Sequence, residues 1–218
     1  MSLRKINKAF KSLGFIGNFL NTDVKVGNIY RIDDGVFHLV TSLKTHAPDL
    51  DIEKLINTGP NNKLKLTKEA GVEIKLGTEA ESGIGESQVE ILFEKKNSWV
   101  VALDQAKVME IPEEDIIDAC RRIWEEQDYQ RQPMRYVVIT ALVEAASGTV
   151  IYSEDRKNRV VLSQELGNNV IKALDLASGE FSFSINTKET LEIITTEQHV
   201  PLFKAMRLKN NGSFELFG

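Results

Sequence analysis

The sequence predicts an α+β fold: a twisted, mostly antiparallel mixed sheet with flanking helices. Apolar and polar residues alternate with a period of two in most segments, whereas only three segments show a helical period. Val, Ile and aromatic residues concentrate in the alternating segments, and such residues pack well on a pleated surface. A chain of 218 residues with 42% hydrophobic content can bury a sizeable core. We therefore expect a single domain over residues 1–218. We expect its sheet to be mostly antiparallel, not a parallel βαβ sheet.

The longest apolar segment, Met134–Tyr152, carries only Arg135 and Glu144 as charged residues. Its β-branched and aromatic side chains favour a strand, and its polar residues make a membrane helix unfavourable. The small residues at 145–148 predict a bulge or bend within this strand. Together with a following strand at 159–163, the segment is expected to build a long hairpin.

Residues 1–20 are predicted to form a basic amphipathic helix, whose apolar face comprises Leu3, Ile6, Phe10, Leu13, Ile16, Phe19 and Leu20. The net charge is −5, but residues 1–31 carry +5 and the remainder carries −10, which argues against a nucleic-acid partner. An anionic membrane attracts basic amphipathic helices, so the candidate lipid-binding residues are Arg4, Lys5, Lys8 and Lys11. The alternative is that this helix docks its apolar face on a sheet and exposes its cations.

Alternation and turn residues place the other strands. Two short strands, 24–32 and 36–43, flank the turn Asp33-Asp34-Gly35, and a short helix follows at 49–57. Further strands are expected at 99–103, 107–111, 181–185, 191–193 and 202–208, the last of them being the final strand of the chain.

The clearest period of two lies between Val72 and Phe93. The strands 72–76 and 89–93 each have one apolar face and one wetter face, and a polar tip at 81–87 separates them. This pattern predicts an amphipathic hairpin.

The best helix begins after Pro112 and runs from Glu113 to Gln127. Acidic residues occupy its positive end, and its predicted buried face comprises Ile116, Ile117, Cys120, Ile123 and Trp124. On this face the thiol of Cys120 is expected to be inert and structural. A single cysteine excludes an internal disulfide and is typical of a reducing compartment, so we expect a cytoplasmic protein.

The motifs of catalysis are missing from the sequence. The three histidines, His38, His46 and His199, do not have the spacing of metal ligands, and no glycine-rich loop matches a nucleotide-binding motif. We therefore predict no enzymatic activity, no metal and no cofactor.

From about Lys63 to Lys209, roughly two thirds of the chain, the sequence resembles the pore-forming N-terminal domain of the gasdermins, including the bacterial members. The resemblance is an ordered pattern of the alternating strand pair with its small-residue linker, a Lys-x-x-Trp-like step at Lys96 and Trp99, and the amphipathic helix. The closest piece, Tyr136–Leu142, resembles a Tyr-Val-Val-Thr-Glu-Val-Leu strand of the family, and Thr149–Leu162 is similar to the hairpin that follows it.

The resemblance implies a soluble, cytoplasmic monomer at rest. An activating protease would release an inhibitory segment, and the chain would then relocate to the inner face of the cell membrane. There two amphipathic hairpins would extend, the first from 64–93 and the second from 134–162, either alone or together with 181–194. Many copies would close into a homo-oligomeric β-barrel pore among anionic lipids, in defence-related cell death such as antiviral defence. Closure satisfies the edge hydrogen bonds that lipid cannot.

The residues implied to insert into the membrane are Val72, Ile74, Leu76, Val89, Ile91, Phe93, Val137, Ile139 and Val150. The residues implied to line the lumen are Glu73, Lys75, Glu90 and Glu94.

Two features depart from the family pattern. Bacterial members often carry a lipid-modified cysteine near the N-terminus, but the first ten residues here contain none. The tail 209–218, with Phe214, Leu216 and Phe217, is short for an inhibitory segment. Either this tail is a minimal lid, or the switch lies elsewhere, or the chain is a non-enzymatic binding or adaptor domain that shares the fold without forming a pore.

Overall fold

The computed structural model describes residue 10 and residues 14–18, 23–33, 36–59, 67–68, 71–76, 88–126, 135–163, 190–195, 199–209 and 213–217. Every strand pair in this part of the chain is antiparallel. Helices flank the sheets, so the predicted α+β class is confirmed.

The described helices are α1 (Leu43–His46), α2 (Ile52–Leu55) and α3 (Glu113–Glu126). The Ser42 hydroxyl accepts from the backbone N–H of Thr45 to cap α1, and the Asp51 carboxylate caps α2 in the same way. In α3 the side chains of Ile116, Cys120 and Ile123 are buried, as predicted.

Fifteen strands are described: β1 (Ile16–Gly17), β2 (Asn28–Asp33), β3 (Val36–Ser42), β4 (Asn57–Thr58), β5 (Thr67–Lys68), β6 (Val72–Leu76), β7 (Gln88–Phe93), β8 (Ser98–Asp104), β9 (Lys107–Glu110), β10 (Tyr136–Ala145), β11 (Ser147–Ser153), β12 (Asn158–Ser163), β13 (Thr190–Thr195), β14 (His199–Leu208) and β15 (Phe214–Leu216). They form an eight-stranded sheet, a four-stranded sheet in the order β13-β11-β8-β5, and a three-stranded sheet in the order β12-β7-β6.

Strand β10 is the centre of the eight-stranded sheet. It pairs with β14 along one side, and on the other side with β2 near its start and with β9 near its end. The hairpin of β2 and β3 continues the sheet to one edge, and β1 and β15 both pair with β14. Every residue of β10 except Tyr136 and Glu144 is buried, which explains why its sequence is apolar almost throughout.

The predicted long strand bends at Ala146, between β10 and β11, so the expected interruption is confirmed. The predicted long hairpin is wrong. Strand β11 pairs with β8 and β13, whereas β12 pairs with β7 in a different sheet. The chain crosses from one sheet to the other between Ser153 and Asn158, so these sequence neighbours do not become sheet neighbours.

The second half of the predicted N-terminal helix is also wrong. Phe10 is helical, but Ile16–Gly17 forms β1 and pairs with Leu202 and Phe203 of β14. Gly14 has a φ of +73°, a left-handed conformation that is incompatible with a helix continuing through this residue into β1.

The prediction that 202–208 is the final strand is wrong as well. Strand β14 runs from His199 to Leu208, and β15 then pairs Leu216 with Met206. The ring of Phe214 packs edge-on against Trp124 of α3, with centroids 5.7 Å apart. The strand predicted at 181–185 lies outside the described residues, whereas the one at 191–193 falls within β13.

Candidate membrane-inserting hairpin

The predicted amphipathic hairpin is formed by β6 and β7. Its register pairs Val72 with Phe93, Ile74 with Ile91, and Leu76 with Val89. Val72, Val89, Ile91 and Phe93 are buried. These side chains lie on one face because alternate residues of a strand point to the same side.

The apolar face of this hairpin covers a core between two sheets. It packs with Val160 and Leu162 of β12 against Val100 and Ala102 of β8 and Ile151 of β11. The three-stranded sheet is therefore folded over one face of the four-stranded sheet. In this state the hairpin's apolar face contacts protein.

The opposite face of the three-stranded sheet carries charge. Glu90 pairs with Lys75 in the register and forms an ion pair with Arg159 of β12. The Glu90 side chain is only 7% exposed, although it lies on the face that the alternation predicts to be polar and solvent-exposed. Arg159 covers it and supplies the counter-charge that a buried carboxylate needs.

The other face of the four-stranded sheet meets the N-terminal segment. Trp99 and Val101 of β8 and Tyr152 of β11 share a second core with Phe10, whose ring stacks on Trp99 with centroids 5.6 Å apart. Strands β8 and β11 are thus apolar on both faces because each face is covered.

Two four-residue crossings connect these sheets, and we call them together the corner. Residues 94–97 join β7 to β8, and residues 154–157 join β11 to β12. The backbone N–H of Lys157 donates to the carbonyl of Phe93, which ties the crossings together. The last residue of each crossing is left-handed, with a φ of +56° at Asn97 and +61° at Lys157.

Side chains reinforce the corner. The Tyr152 hydroxyl donates to Asn97 Oδ1 at 2.7 Å, and Asn158 Nδ2 donates to Ser153 Oγ at 2.8 Å. Burial, followed by the nearby charge of Glu154, raises the pKa of Tyr152 to about 12, so the hydroxyl remains a donor at neutral pH.

Gly71 brings β6 close to the same corner. Its carbonyl accepts from the backbone N–H of Glu94 at 2.9 Å, and its φ is +89°. A Cβ at this position would lie 3.0 Å from the Lys95 side chain, so both the backbone and the space favour glycine.

No family model and no curated protein matches the chain. Among solved structures, the chain is similar to a bacterial gasdermin from Bradyrhizobium tropiciagri, with 11% identity, 97% of this chain and 90% of that chain covered, and a TM-score of 0.33. It is also similar to the gasdermin A3 membrane pore, with 9% identity, 97% and 94% covered, and a TM-score of 0.25. Both likenesses name the family that the sequence resembles.

The structure does not bring the predicted membrane-inserting residues together. Val137 and Ile139 lie in the core of the eight-stranded sheet, and Val150 lies in the core beside Phe10. Only the residues of β6 and β7 share a single surface. The membrane role of all of them stays a prediction, as does that of Arg4, Lys5, Lys8 and Lys11, which lie outside the described residues.

Two features of the structure are not predicted by the sequence. Val36, Leu39 and Val40 on the edge strand β3 are exposed, Leu39 by 62%. The sequence shows only an apolar strand there, and nothing in it identifies which side has no neighbouring strand among the described residues. The burial of Glu90 is the second feature, because the alternation places this residue on the polar, solvent-exposed face.

Neither a metal site nor a reactive thiol is found in the described part of the chain. It contains no cluster of three His, Cys, Asp or Glu side chains able to hold a metal ion. Cys120 is fully buried in α3, and burial raises the pKa of its thiol to about 12, as an inert cysteine requires. Among the described helices, none has the length and apolar character needed to cross a membrane.

Proposed function

We propose that this protein permeabilises membranes by inserting the hairpin of β6 and β7. At rest the apolar face of the hairpin is covered by the four-stranded sheet. On activation by a protease or another trigger, the hairpin leaves this core and enters an anionic membrane, where copies of the chain assemble into a pore that kills the cell in defence.

The register of β6 and β7 is the observation that carries this proposal. Continued along the sequence, the pairing of Val72 with Phe93 and of Leu76 with Val89 closes on Ser82-Gly83. An extended hairpin then has two arms of ten residues, 72–81 and 84–93. A membrane-spanning strand needs about 9–11 residues, and a two-residue turn containing glycine suits a tight hairpin. Residues 77–87 lie outside the described part, so their contribution comes from sequence alone.

All charged residues of these arms share one face of the extended hairpin: Glu73, Lys75, Glu79, Glu81, Glu86 and Glu90. The other face is uncharged over its whole length and comprises Val72, Ile74, Leu76, Thr78, Ala80, Gly85, Ser87, Val89, Ile91 and Phe93. Lipid excludes charge, whereas an aqueous lumen accepts it. This segregation is what a pore-lining strand pair requires.

The test uses dye-filled vesicles of anionic phospholipid, to which the protein is added intact or after limited proteolysis. Ile91→Lys puts a charge on the uncharged face, which costs roughly 2–4 kcal/mol at the bilayer midplane and should abolish leakage. The matched control is Leu92→Lys, because the adjacent residue lies on the charged face. We expect the control to leak as the parent does.

Because Ile91 is buried at rest, its replacement could unfold the chain instead of blocking insertion. A second pair of variants, Thr78→Lys and Glu79→Lys, repeats the comparison on the two faces further along the arm, and thermal melting identifies any unfolded variant. Leakage that survives a lysine at both Ile91 and Thr78 contradicts the assignment of the lipid face.

The alternative is a binding or adaptor domain in which the same strands remain a permanent sheet. The dense packing of β6 and β7 on β8 and β11 favours it, since insertion must first uncover Val100, Ala102 and Ile151. An absence of leakage from every form, intact or proteolysed, would support the adaptor.

A further inference from the structure

The two crossings at the corner have the same length. Phe93 pairs with Asn158 in the three-stranded sheet, and Ser98 pairs with Ser153 in the four-stranded sheet. Phe93 and Ser98 are five positions apart in the sequence, and so are Ser153 and Asn158. The register of the strand pair is therefore identical on both sides of the corner. Strands β7 and β8 on one side, and β11 and β12 on the other, therefore form one two-stranded ribbon that is folded over on itself.

The third strand that crosses at the corner does not share this property. Lys68 of β5 pairs with Val100, and Val72 of β6 pairs with Phe93. From β5 to β6 the chain advances four positions, whereas the partner residues on β7 and β8 are seven positions apart. The register therefore shifts by three residues. Matched crossings are thus specific to the inner two strands.

The bend contains two left-handed residues, one in each of the turns at 95–97 and 154–157. Asn97 and Lys157 are left-handed, and a straight ribbon requires both to be extended. Asparagine tolerates the left-handed region, whereas lysine is strained there. Hydrogen bonds from Tyr152 to Asn97 and from Lys157 to Phe93 also stabilise the bend.

We propose that the corner is a hinge, at which the ribbon straightens without changing any strand pair of β7 with β12 or β8 with β11. This inference rests on the proposed function. Straightening yields continuous strands over 88–104 and 147–163, of seventeen residues each. It also uncovers the apolar face of β6 and β7 while the interstrand hydrogen bonds of the ribbon persist.

Charge determines which half of the straight ribbon enters lipid. In regular strands, Val89, Ile91 and Phe93 share a face with Trp99, Val101 and Leu103, but Lys95 and Asn97 lie between them on that face. Across the ribbon, Glu154 and Arg156 fall at the same level. Charges are tolerated near the membrane surface and not at its centre. The corner therefore lies at headgroup level, next to the aromatic side chains of Trp99 and Tyr152, and β8 and β11 remain in the body.

A distance measurement tests the hinge independently of leakage. Spin labels are attached to cysteines placed at Val161, half-buried on β12, and at Gln105, exposed just beyond β8. Native Cys120 is buried and does not compete for the label. Val161 lies opposite Glu90, and fifteen positions separate Glu90 from Gln105, so straightening places the labels about 50 Å apart at roughly 3.4 Å per residue. We expect the distance to lengthen to this value on anionic vesicles, with the protein either intact or after limited proteolysis.

Two matched substitutions at Lys157 are expected to shift the equilibrium between the bent and the straight ribbon in opposite directions. Lys157→Gly accepts the left-handed conformation and favours the bend, whereas Lys157→Val is strongly disfavoured there and favours the extended state. Both remove the same exposed charge. We expect straightening to be about five-fold or more faster in the valine variant than in the glycine variant. Asn97→Gly and Asn97→Val repeat the comparison if Lys157→Val fails to fold.

The outcomes separate the hinge from the pore. Leakage at an unchanged label distance overturns the hinge and leaves the proposed function standing. A lengthened distance without leakage supports the hinge and overturns the pore. A distance that stays short in every variant, or equal rates for the glycine and valine variants, overturns the hinge.

Discussion

The hydroxyl of Tyr152 and the side-chain carbonyl oxygen of Asn97 are joined by a 2.7 Å hydrogen bond between the end of β11 and the crossing that leads into β8. The Tyr152 ring is buried beside Phe10, with centroids 6.4 Å apart. This contact connects the N-terminal segment, the four-stranded sheet and the corner. A displacement of the N-terminal segment, the four-stranded sheet or the corner can therefore be transmitted to the other two through the Tyr152 side chain.

Tyr152→Phe keeps the ring and removes only this hydrogen bond. We expect a loss of about 0.5–1.5 kcal/mol in the free energy of unfolding, measured with urea. Tyr30→Phe is the matched control, since its hydroxyl donates to the Asp23 carbonyl at 2.6 Å away from the corner. Only the first variant should accelerate hydrogen exchange at the Lys157 amide; equal acceleration in both would mean that Tyr152 does not hold the corner.

Arg159→Met should destabilise the chain more than an ordinary surface arginine substitution. It leaves the Glu90 carboxylate buried without its counter-charge, and a hydrogen bond to a charged group contributes about 1.5–3 kcal/mol. Arg159 is itself 44% exposed, so the loss should fall near the lower end of that range. Arg121→Met removes an exposed pair with Asp118 and should cost under about 1 kcal/mol by urea denaturation. A similar loss in both variants would contradict a structural role for the pair of Glu90 and Arg159.

Cys120 should not react with a thiol reagent at pH 8 until the chain is unfolded by denaturant, because burial disfavours the thiolate. The raised pKa also makes stability fall as the pH rises from about 9 to about 12, since the unfolded thiol loses its proton first. Cys120→Ala should show a smaller fall over this range. Rapid native-state labelling would contradict the buried position.

Strand β15 should loosen in acid. Hydrogen bonds from Lys209, and then from Arg207, lower the pKa of the Glu215 carboxyl. The stabilisation is therefore complete above the ordinary glutamate pKa of about 4.3 and is lost as the pH falls through the lower folded value. Amide resonances of Phe214–Leu216 should shift in this range, and Glu215→Gln should lack the transition. An identical transition in that variant would assign it to another carboxyl.

Replacing Arg4, Lys5, Lys8 and Lys11 together with Gln should weaken binding to anionic vesicles, because each cation near the surface contributes about 1 kcal/mol. Binding of the parent should also fall with salt, since screening acts beyond about 10 Å at roughly 0.1 M. A control of equal charge replaces four exposed cations elsewhere: Lys44, Lys54, Arg121 and Arg122. If the control loses as much binding in a vesicle sedimentation assay, net charge rather than the N-terminal segment is responsible.

The local elements were predictable because their signals are local. The period of two between Val72 and Phe93 predicted both strands and the apolar face, and the buried face of α3 followed from its helical period. The burial of Cys120 was predicted from its position on the apolar face of α3.

The sequence by itself thus determined the strands β6 and β7, the helix α3 and the apolar faces that they bury, since these follow from side chains a few residues apart. Only the tertiary structure decided which strands meet. The separation of β11 from β12 depends on a left-handed Lys157, a conformation for which lysine has no preference, so no residue signals it. The burial of Glu90 depends on Arg159, which lies in a strand distant in sequence. Strand pairing is a competition between remote segments for the same edges and cores, and its outcome is therefore a property of the folded chain.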